Sequence, residues 1–462
     1  MLLNNEIRPE KVFLVLSLVF GIIFLIVTPP FQVPDESAHF NKAYYVSDGQ
    51  VIPTKNQLEQ GYLFPKSVDT AEVNFSNLPF NPDSKVNIAA IPSLVNLPLN
   101  QNDKKLLNIS NVLFYPPLPY AAPAFIFIFL KFFNISPLIL MYLGRIVNLL
   151  LWIFFVYMAI KITPIHKWSF FALSLMPMSI FMAGSLSADS FNMGLAFLVI
   201  AFFLNLAFDE NRKKIKFKDI LLLSLLIWML SLSKQGYAVL LLLFLIIPLN
   251  KFNNNLIRWK YFVFAVLSTL ATTFIWNFLS KDANPFFHNV GSNFSISYIF
   301  SNVLIFLNMI LHTLSVLDEK YLISFVGNFG WLDTPMPEWL VYLYLAFLII
   351  VAFTDKTRIK IDLKAKLIFI ITFVVECLFI FFYLYITWNP PGSSIIGGIQ
   401  GRYFIPIAPL VLLLVYNRKD KLNIMGRKIN FKLEKNHYLA VILFTALYLS
   451  TALYFLVQRY YL

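Results

Sequence analysis

Two adjacent carboxylates and a histidine follow the first long apolar run of the chain. Residues 34–44 read PDESAHFNKAY, so Asp35, Glu36 and His39 lie within one short stretch. If the stretch is helical, Glu36 and His39 share a face at a spacing of three residues. A carboxylate at a partly dehydrated site can act as a general base. The alternative is structural: Asp35 caps a helix and Glu36 complements its dipole.

Three more ionisable residues lie within or beside apolar stretches. Lys234 interrupts the run from Leu230 to Ile247, which is costly unless its ammonium faces a cavity or a partner. Arg402 can bind a phosphate with its planar fork or lie at the membrane interface with its stem in lipid. Asp189 follows Ser187 and can either begin a helix or contact a substrate. Arg145 is expected to pair with a carboxylate or to lie near the interface.

The stretch from Gly327 to Trp339 combines aromatic, acidic and turn residues. Trp331 and Asp333 could bind a sugar, since sugars are held by aromatic faces and by carboxylates that accept hydroxyl protons. The same composition also occurs in the aromatic belt of membrane proteins. Trp331 and Asp333 are therefore candidate substrate-binding residues.

The composition excludes a water-soluble globular protein. Of the 462 residues 58% are hydrophobic and 13% are charged, with a mean hydropathy of +0.70. Soluble domains carry about 25% charged residues. Apolar runs of membrane-spanning length recur along the chain, so we predict an all-α integral membrane protein. The net charge of +13 resides in short loops between these runs, a pattern that reports topology and anionic lipids and not nucleic acid.

The basic clusters predict the topology. If the clusters at 161–167, 212–218, 251–260, 356–366 and 418–435 all face the cytoplasm, the chain crosses the membrane about 11 times (range 11–13), with a cytoplasmic N-terminus and an external C-terminus. We expect a first transmembrane helix over 1–28, an external loop with juxtamembrane helices over 29–137, and one polytopic body over 138–462. Residues 116–133 and 301–317 are interpreted as external juxtamembrane or re-entrant helices because counting either as a crossing moves basic loops outside.

Five motifs in order resemble one known family. The string PDESAHF-x-KAYY-x-x-DG is followed by Leu175 to Asp189, Lys234 to Tyr237, Gly327 to Thr334 and Gln400 to Pro406. Together they resemble a bacterial family of polytopic membrane proteins known as domain-of-unknown-function family 2142, over residues 12–415. That family in turn is similar to the GT-C glycosyltransferases, which transfer a sugar from a polyprenyl phosphate or diphosphate to an external acceptor.

The resemblance implies a function. The chain would be an external-face glycosyltransferase of a bacterial cytoplasmic membrane, acting in cell-surface glycan or cell-wall polymer synthesis. Asp35 is the first choice as catalytic base and Glu36 the second, and a single base implies inversion. Lys234 and Arg402 would bind the lipid phosphate, with His39, Asp189, Trp331 and Asp333 as further substrate-binding residues. The partners are the polyprenyl-phosphate sugar, a glycan acceptor and membrane lipids, with no nucleic acid.

No cofactor is expected. The single Cys377 rules out a cysteine-rich metal site, and neither a phosphate-binding Gly-x-x-x-x-Gly-Lys-Ser/Thr loop nor a dinucleotide-binding Gly-x-Gly-x-x-Gly sequence is present. A divalent cation held by Asp35, Glu36 and His39 is the alternative. The alternative function is a lipid-linked oligosaccharide flippase or another transporter, which predicts ionisable residues deep in several spans. A third reading is a scaffold of a cell-wall assembly complex.

Overall fold

The computed structural model describes residues 7–283, 290–355, 357, 359–390, 392–416, 421–424, 427–430 and 435–462. Parts of the basic clusters at 356–366 and 418–435 therefore lie outside the described residues. The described chain is mainly helical, with three short two-stranded antiparallel sheets. The α-helices are α1 (Pro9–Val27), α2 (Glu36–Ser47), α3 (Lys55–Gln60), α4 (Lys66–Val73), α5 (Ile91–Val95), α6 (Ser110–Leu113), α7 (Ala121–Leu130), α8 (Pro137–Ile162), α9 (Lys167–Ser174), α10 (Pro177–Ala183), α11 (Ala188–Phe208), α12 (Phe217–Ser233), α13 (Asn255–Leu279), α14 (Val290–Ser301), α15 (Val303–Val326), α16 (Glu338–Thr354), α17 (Leu363–Trp388), α18 (Ala408–Val415) and α19 (Lys435–Tyr461).

Short strands and 3-10 helices complete the architecture. The strand pairs are β1 (Tyr62–Pro65) with β2 (Lys104–Leu107), β3 (Asn328–Phe329) with β4 (Thr334–Pro335), and β5 (Lys421–Ile424) with β6 (Arg427–Asn430). The 3-10 helices are Ile88–Ala90, Leu118–Tyr120, Lys131–Phe133, Gln235–Ile246, Leu249–Lys251, Lys281–Ala283 and Gly401–Ile407. The pairing of β1 with β2 joins the two ends of the segment between α3 and α6.

Six helices of the described chain are long and apolar enough to cross a membrane: α1, α8, α11, α13, α17 and residues 436–461 of α19. Four shorter apolar segments accompany them, namely Leu118–Phe133, Gln235–Ile246, Glu338–Thr354 and Gly401–Val415. The prediction of an all-α, multi-pass membrane protein is thus confirmed. Neither 116–133 nor 301–317 belongs to the six, and their assignment outside the membrane stays a prediction, as does the division into three regions.

The starts of the long helices follow from local sequence. Ser136 accepts a hydrogen bond from the backbone of Ile139 at the start of α8, where Pro137 takes the position that needs no N–H donor. Asn254 and Asp362 cap α13 and α17 in the same way. These caps supply acceptors for backbone N–H groups that a helix start leaves free.

Helix α11 forms the centre of the body. Nearly all of its apolar span is buried, and it packs against α8, α12 and the 3-10 helix Gln235–Ile246. The helices around it expose large apolar side chains on their outer faces, such as Val15 on α1 and Phe274 on α13. Exposed apolar stripes of this size are expected where helices face lipid. The start of α11 is the point on which the candidate site is built.

Candidate functional site

Three charged side chains from separate parts of the chain meet at the start of α11. Asp189 lies in the first turn of this helix, and Ser187, not Asp189, is the N-cap. The ammonium of Lys234 lies 3.4 Å from one carboxylate oxygen of Asp189, and Nε of Arg402 lies 3.8 Å from the other. We refer to these three residues (Asp189, Lys234 and Arg402) as the ionic cluster.

The backbone breaks that place the two cations are local features. Lys234 is an extended residue between the end of α12 and the 3-10 helix Gln235–Ile246. Arg402 is the second residue of the 3-10 helix Gly401–Ile407, which leads into α18. Both cations therefore lie at irregular backbone beside or within a 3-10 helix, and neither belongs to an α-helix.

The ionic cluster holds two cations for one carboxylate. The Arg402 Nε has no hydrogen-bond partner in the described part of the chain, and Nη1 lies 3.3 Å from the sulfur of Met182. The ring of Tyr403 lies under both cations, with its centroid 4.3 Å from Lys234 Nζ and 5.4 Å from the Arg402 guanidinium. About a quarter of the Asp189 and Lys234 side chains is exposed. An anion could therefore reach donors that the fold leaves unused.

Asp35 stands beside the ionic cluster with its carboxylate unengaged. Its backbone is left-handed, with φ of 62°, at the residue preceding α2. Its side chain does not cap α2, and among the described residues it forms neither a hydrogen bond nor an ion pair. It interacts electrostatically with His39, Tyr120 and Arg402. Non-glycine residues rarely adopt this conformation, and those that do are concentrated at functional sites.

His39 follows Asp35 by four residues and turns toward the same region. Its Nδ1 shares a hydrogen bond of 2.7 Å with the hydroxyl of Tyr120, and its ring stacks on that of Tyr120. Burial lowers the pKa of His39 below its usual value, although the charges of Asp35 and Asp189 oppose the change. The imidazole is therefore neutral near pH 7 and can position a hydroxyl without adding charge.

Glu36 is taken up by the fold. It and Arg145 are completely buried, and they form a two-pronged ion pair with N–O distances of 2.8 and 2.5 Å. Glu36 also accepts a hydrogen bond from the backbone of Leu186, and Arg145 donates to the carbonyls of Thr28 and Pro29 among others. Glu36 thus ties α2 to α8, to the end of α1 and to the approach to α11. It lies beside the site but is not free to take a proton.

A crevice opens next to the ionic cluster. Its walls come from the residues before α7, from the segment around Lys234, from α17 and from Tyr403. The lining is mostly aromatic and aliphatic, and Lys234 contributes the cation. The lining residues are Phe114, Tyr115, Pro116, Ser233, Lys234, Gln235, Gly236, Tyr237, Glu376, Phe379, Ile380, Phe382, Tyr383, Leu384 and Tyr403. An apolar chain with an anionic end matches such a lining.

Glu376 is the residue of this crevice that the sequence interpretation missed. It lies near the middle of α17, is 1% exposed, and its Oε2 has no hydrogen-bond partner within the described residues. The charge of Lys234 acts on it. The signal was available in the sequence, because a carboxylate in the middle of an apolar run is costly and marks a functional position by default.

Trp331 and Asp333 form hydrogen bonds with segments other than those of the ionic cluster. The indole N–H of Trp331 donates to the carbonyl of Phe31 at 3.1 Å. Asp333 accepts from Arg459 on α19 at 3.2 Å and from the backbone of Phe80 at 2.8 Å. Asp333 therefore connects two segments of the fold, whereas Trp331 lines a second groove near α4.

The described residues contain no group of three His, Cys, Asp or Glu side chains placed to hold a metal ion. Asp35, Glu36 and His39 do not converge, because Glu36 points to Arg145 and His39 to Tyr120. The alternative of a divalent cation stays a prediction.

Comparison with known proteins identifies a family. A family model described as predicted membrane protein (DUF2142) matches residues 18–411. Neither a comparison with curated proteins nor one with solved structures finds a match. The matched range contains every residue of the ionic cluster, Asp35, Glu376 and the crevice.

Proposed function

The chain belongs to the DUF2142 family of predicted membrane proteins, and from the site described above we propose that it is a GT-C-like glycosyltransferase. In this proposal the enzyme transfers a sugar from a polyprenyl phosphate or diphosphate to an acceptor on the external face of a bacterial cytoplasmic membrane. The product would be a cell-surface glycan or a cell-wall polymer.

One observation carries the proposal: an unengaged carboxylate stands beside surplus cations at an apolar crevice. The carboxylate of Asp35 has no hydrogen bond or ion pair among the described residues, whereas Lys234 and Arg402 share the single carboxylate of Asp189. A lipid phosphate needs cations for its charge and an apolar wall for its chain, and a nucleophilic hydroxyl needs a base. These three requirements meet at one place on the chain.

The chemistry assigns a part to each residue. The acceptor oxygen forms a bond to the anomeric carbon and gives its proton to Asp35. The bond from the anomeric carbon to the phosphate oxygen breaks, and its electron pair stays on the phosphate. Lys234 and Arg402 stabilise that added charge, and Asp189 holds the two cations in place before the donor binds. One displacement with one base inverts the anomeric configuration.

Glu36 is not the base in this proposal. Both of its carboxylate oxygens accept hydrogen bonds from Arg145, and it is fully buried. A proton accepted there would break a buried ion pair, which costs about 3–5 kcal/mol. Asp35 needs no such rearrangement.

The test is label transfer by purified protein from a panel of synthetic polyprenyl-phosphate sugars. Asp35→Asn should lower kcat by about 10²–10⁴-fold while the donor still binds. Asp83→Asn, which changes an exposed carboxylate of the same loop region, is the matched control and should transfer at the wild-type rate. The proposal is wrong if the wild-type protein transfers sugar from none of the donors, or if Asp35→Asn is fully active.

A second candidate function is supported by Glu376. A flippase for lipid-linked oligosaccharides, or another transporter, uses ionisable residues inside its spans, and Glu376 lies within α17 beside Lys234. The test is translocation of a fluorescent lipid-linked sugar in proteoliposomes. The transporter is favoured if the wild-type protein transfers no sugar in the first assay but translocates the lipid. In that case Glu376→Gln should abolish translocation and Asp35→Asn should leave it intact.

A further inference from the structure

The second groove lies beside α4, on a part of the molecule that the proposed reaction does not use. It is formed by the segment after α1, by α2, by α4 with the residues that follow it, and by Trp331. Its volume is about 320 Å³, within the range of small-molecule sites. We call it the α4 groove and define it by Gln32, Ser37, Asp69, Glu72, Phe75 and Trp331.

The polar groups of the α4 groove are mainly acceptors. Asp69 and Glu72 are three residues apart on α4 and share one face of it. Asp69 pairs with Lys105 at 2.6 Å, and Glu72 accepts a hydrogen bond from Asn41 at 2.9 Å. None of the lining residues is a lysine or an arginine. The groove therefore suits a ligand that donates hydrogen bonds, and it disfavours an anion.

Gln32 adds an unused acceptor. Its side chain is 1% exposed and lines the groove, and its amide N–H groups donate to the carbonyls of Pro30 and Phe75. These bonds fix the amide, and its Oε1 has no partner among the described residues. A buried acceptor without a donor costs about 1–3 kcal/mol, a cost that a ligand hydroxyl would remove.

Trp331 supplies the apolar wall. Its indole N–H is engaged by the carbonyl of Phe31, so its orientation is fixed and its ring, not its polar atom, is offered to a ligand. Burial raises the pKa of Glu72 to about 7, so that near neutral pH its carboxyl can both donate and accept hydrogen bonds. An aromatic face with acceptors around it matches the alternating C–H and O–H surface of a sugar ring.

We infer that the α4 groove binds a neutral saccharide unit. Its further role, holding a non-reacting unit of a polymeric acceptor, rests on the proposed function. Ser37 in the groove and His39 in the proposed active site point away from α2 on different sides, because residues two apart on a helix face roughly opposite directions. The groove is thus a site separate from the ionic cluster.

Binding can be measured without the reaction. Protein in nanodiscs is applied to an array of immobilised neutral and acidic oligosaccharides, and the best neutral compound is then titrated by calorimetry. Val73→Trp places an indole on the wall of the groove, at a residue that is 59% exposed. Ile88→Trp makes the same change at a residue that is 64% exposed and lies outside the groove.

We expect Val73→Trp to weaken binding of the neutral saccharide at least tenfold and Ile88→Trp to leave it unchanged. Glu72→Gln, which can still accept from Asn41, should weaken it several-fold, and Asp35→Asn should not affect it. Equal binding by wild type and Val73→Trp, no binding to any neutral oligosaccharide, or a preference for acidic ones would overturn the inference. The binding experiment contains no sugar donor, so its outcome does not depend on whether the protein transfers a sugar.

Discussion

Glu36 and Arg145 form a completely buried ion pair, and replacing one partner leaves the other charged and unpaired. Glu36→Gln should therefore destabilise the protein by about 3–5 kcal/mol. Asp35→Asn, one residue earlier, removes no hydrogen bond and should change stability by no more than about 0.5 kcal/mol. Thermal unfolding in detergent measures both. Similar Tm losses in the two variants would contradict the different roles assigned to these neighbours.

Lys42 makes stability depend on pH. It lies on α2, is fully buried, and donates to the carbonyl of Leu113 at 2.9 Å. Burial lowers the pKa of Lys42 to about 7 in the folded protein, below its value of 10.5 in an exposed side chain. Between these two values the unfolded chain binds more protons than the folded one, so stability rises with pH from about 7 to 10.5.

Lys42→Met isolates this effect because methionine does not titrate. The stability of wild type relative to Lys42→Met should increase by up to about 1.4 kcal/mol for each pH unit above 7. Unfolding temperatures at pH 6.5, 8 and 9.5, taken as differences between the two proteins, check this. A difference that stays constant over the series would show that Lys42 is protonated throughout.

At the scale of elements, the position of Arg402 depends on a close approach of two backbone segments. A Cβ on Gly401 would lie 1.9 Å from the carbonyl oxygen of Tyr321 and 2.4 Å from the backbone nitrogen of Phe325. The 3-10 helix Gly401–Ile407 packs so tightly on α15 that only glycine fits at this position. The backbone N–H of Gly401 also donates to Ser324, at 2.8 Å.

Gly401→Ala should push the 3-10 helix off α15 and displace Arg402 from Asp189. We expect a lower Tm together with at least tenfold weaker donor binding. Gly397→Ala is the control in the same loop, because its Cβ would meet its nearest neighbour at an ordinary 3.4 Å. If Gly401→Ala binds the donor as tightly as Gly397→Ala does, Arg402 does not bind the phosphate.

The sequence predicts some elements well and others not at all. Long apolar runs with caps indicate α8, α11, α13 and α17, because burial in lipid and local capping depend on neighbours in sequence. The sequence does not predict the 3-10 form of Gln235–Ile246, since this segment packs against α17, which is distant in the chain. The approach of Asp35 to Arg402 joins residues far apart in the chain, and no local pattern encodes it.

Individual residues show the same division. The motif around residue 35 indicates a site, but only the fold distinguishes Asp35, whose carboxylate is unpaired among the described residues, from Glu36, which pairs with Arg145. Asp333 was a candidate sugar ligand on composition, whereas its partner Arg459 comes from the far end of the chain. Glu376 could have been found from sequence by its position inside an apolar run.

At the scale of the whole molecule, contacts divide the ends of the helices into two faces. Lys85 donates to the carbonyls of Gln458 and Arg459, and Tyr461 donates to the carbonyl of Val27. The loop region after α1, the end of α1 and the end of α19 therefore share one face. The opposite ends of α8 and α11 are joined where Asn205 donates to the carbonyl of Ile162.

The second face carries the basic loops around Lys161, Arg212 and Lys251, and the positive-inside rule predicts that this face is cytoplasmic. The face that holds Asp35 and the α4 groove would then be external.

Single cysteines introduced into a Cys377→Ala protein can report this in intact cells. Ile88→Cys and Leu462→Cys, both exposed, should react with a membrane-impermeant maleimide. Lys213→Cys, in the exposed loop between α11 and α12, should react only after the membrane is permeabilised. If only Lys213→Cys is labelled in intact cells, the orientation is the reverse of the one predicted. Asp35 would then lie on the cytoplasmic side, where a donor displayed on the external leaflet could not reach it.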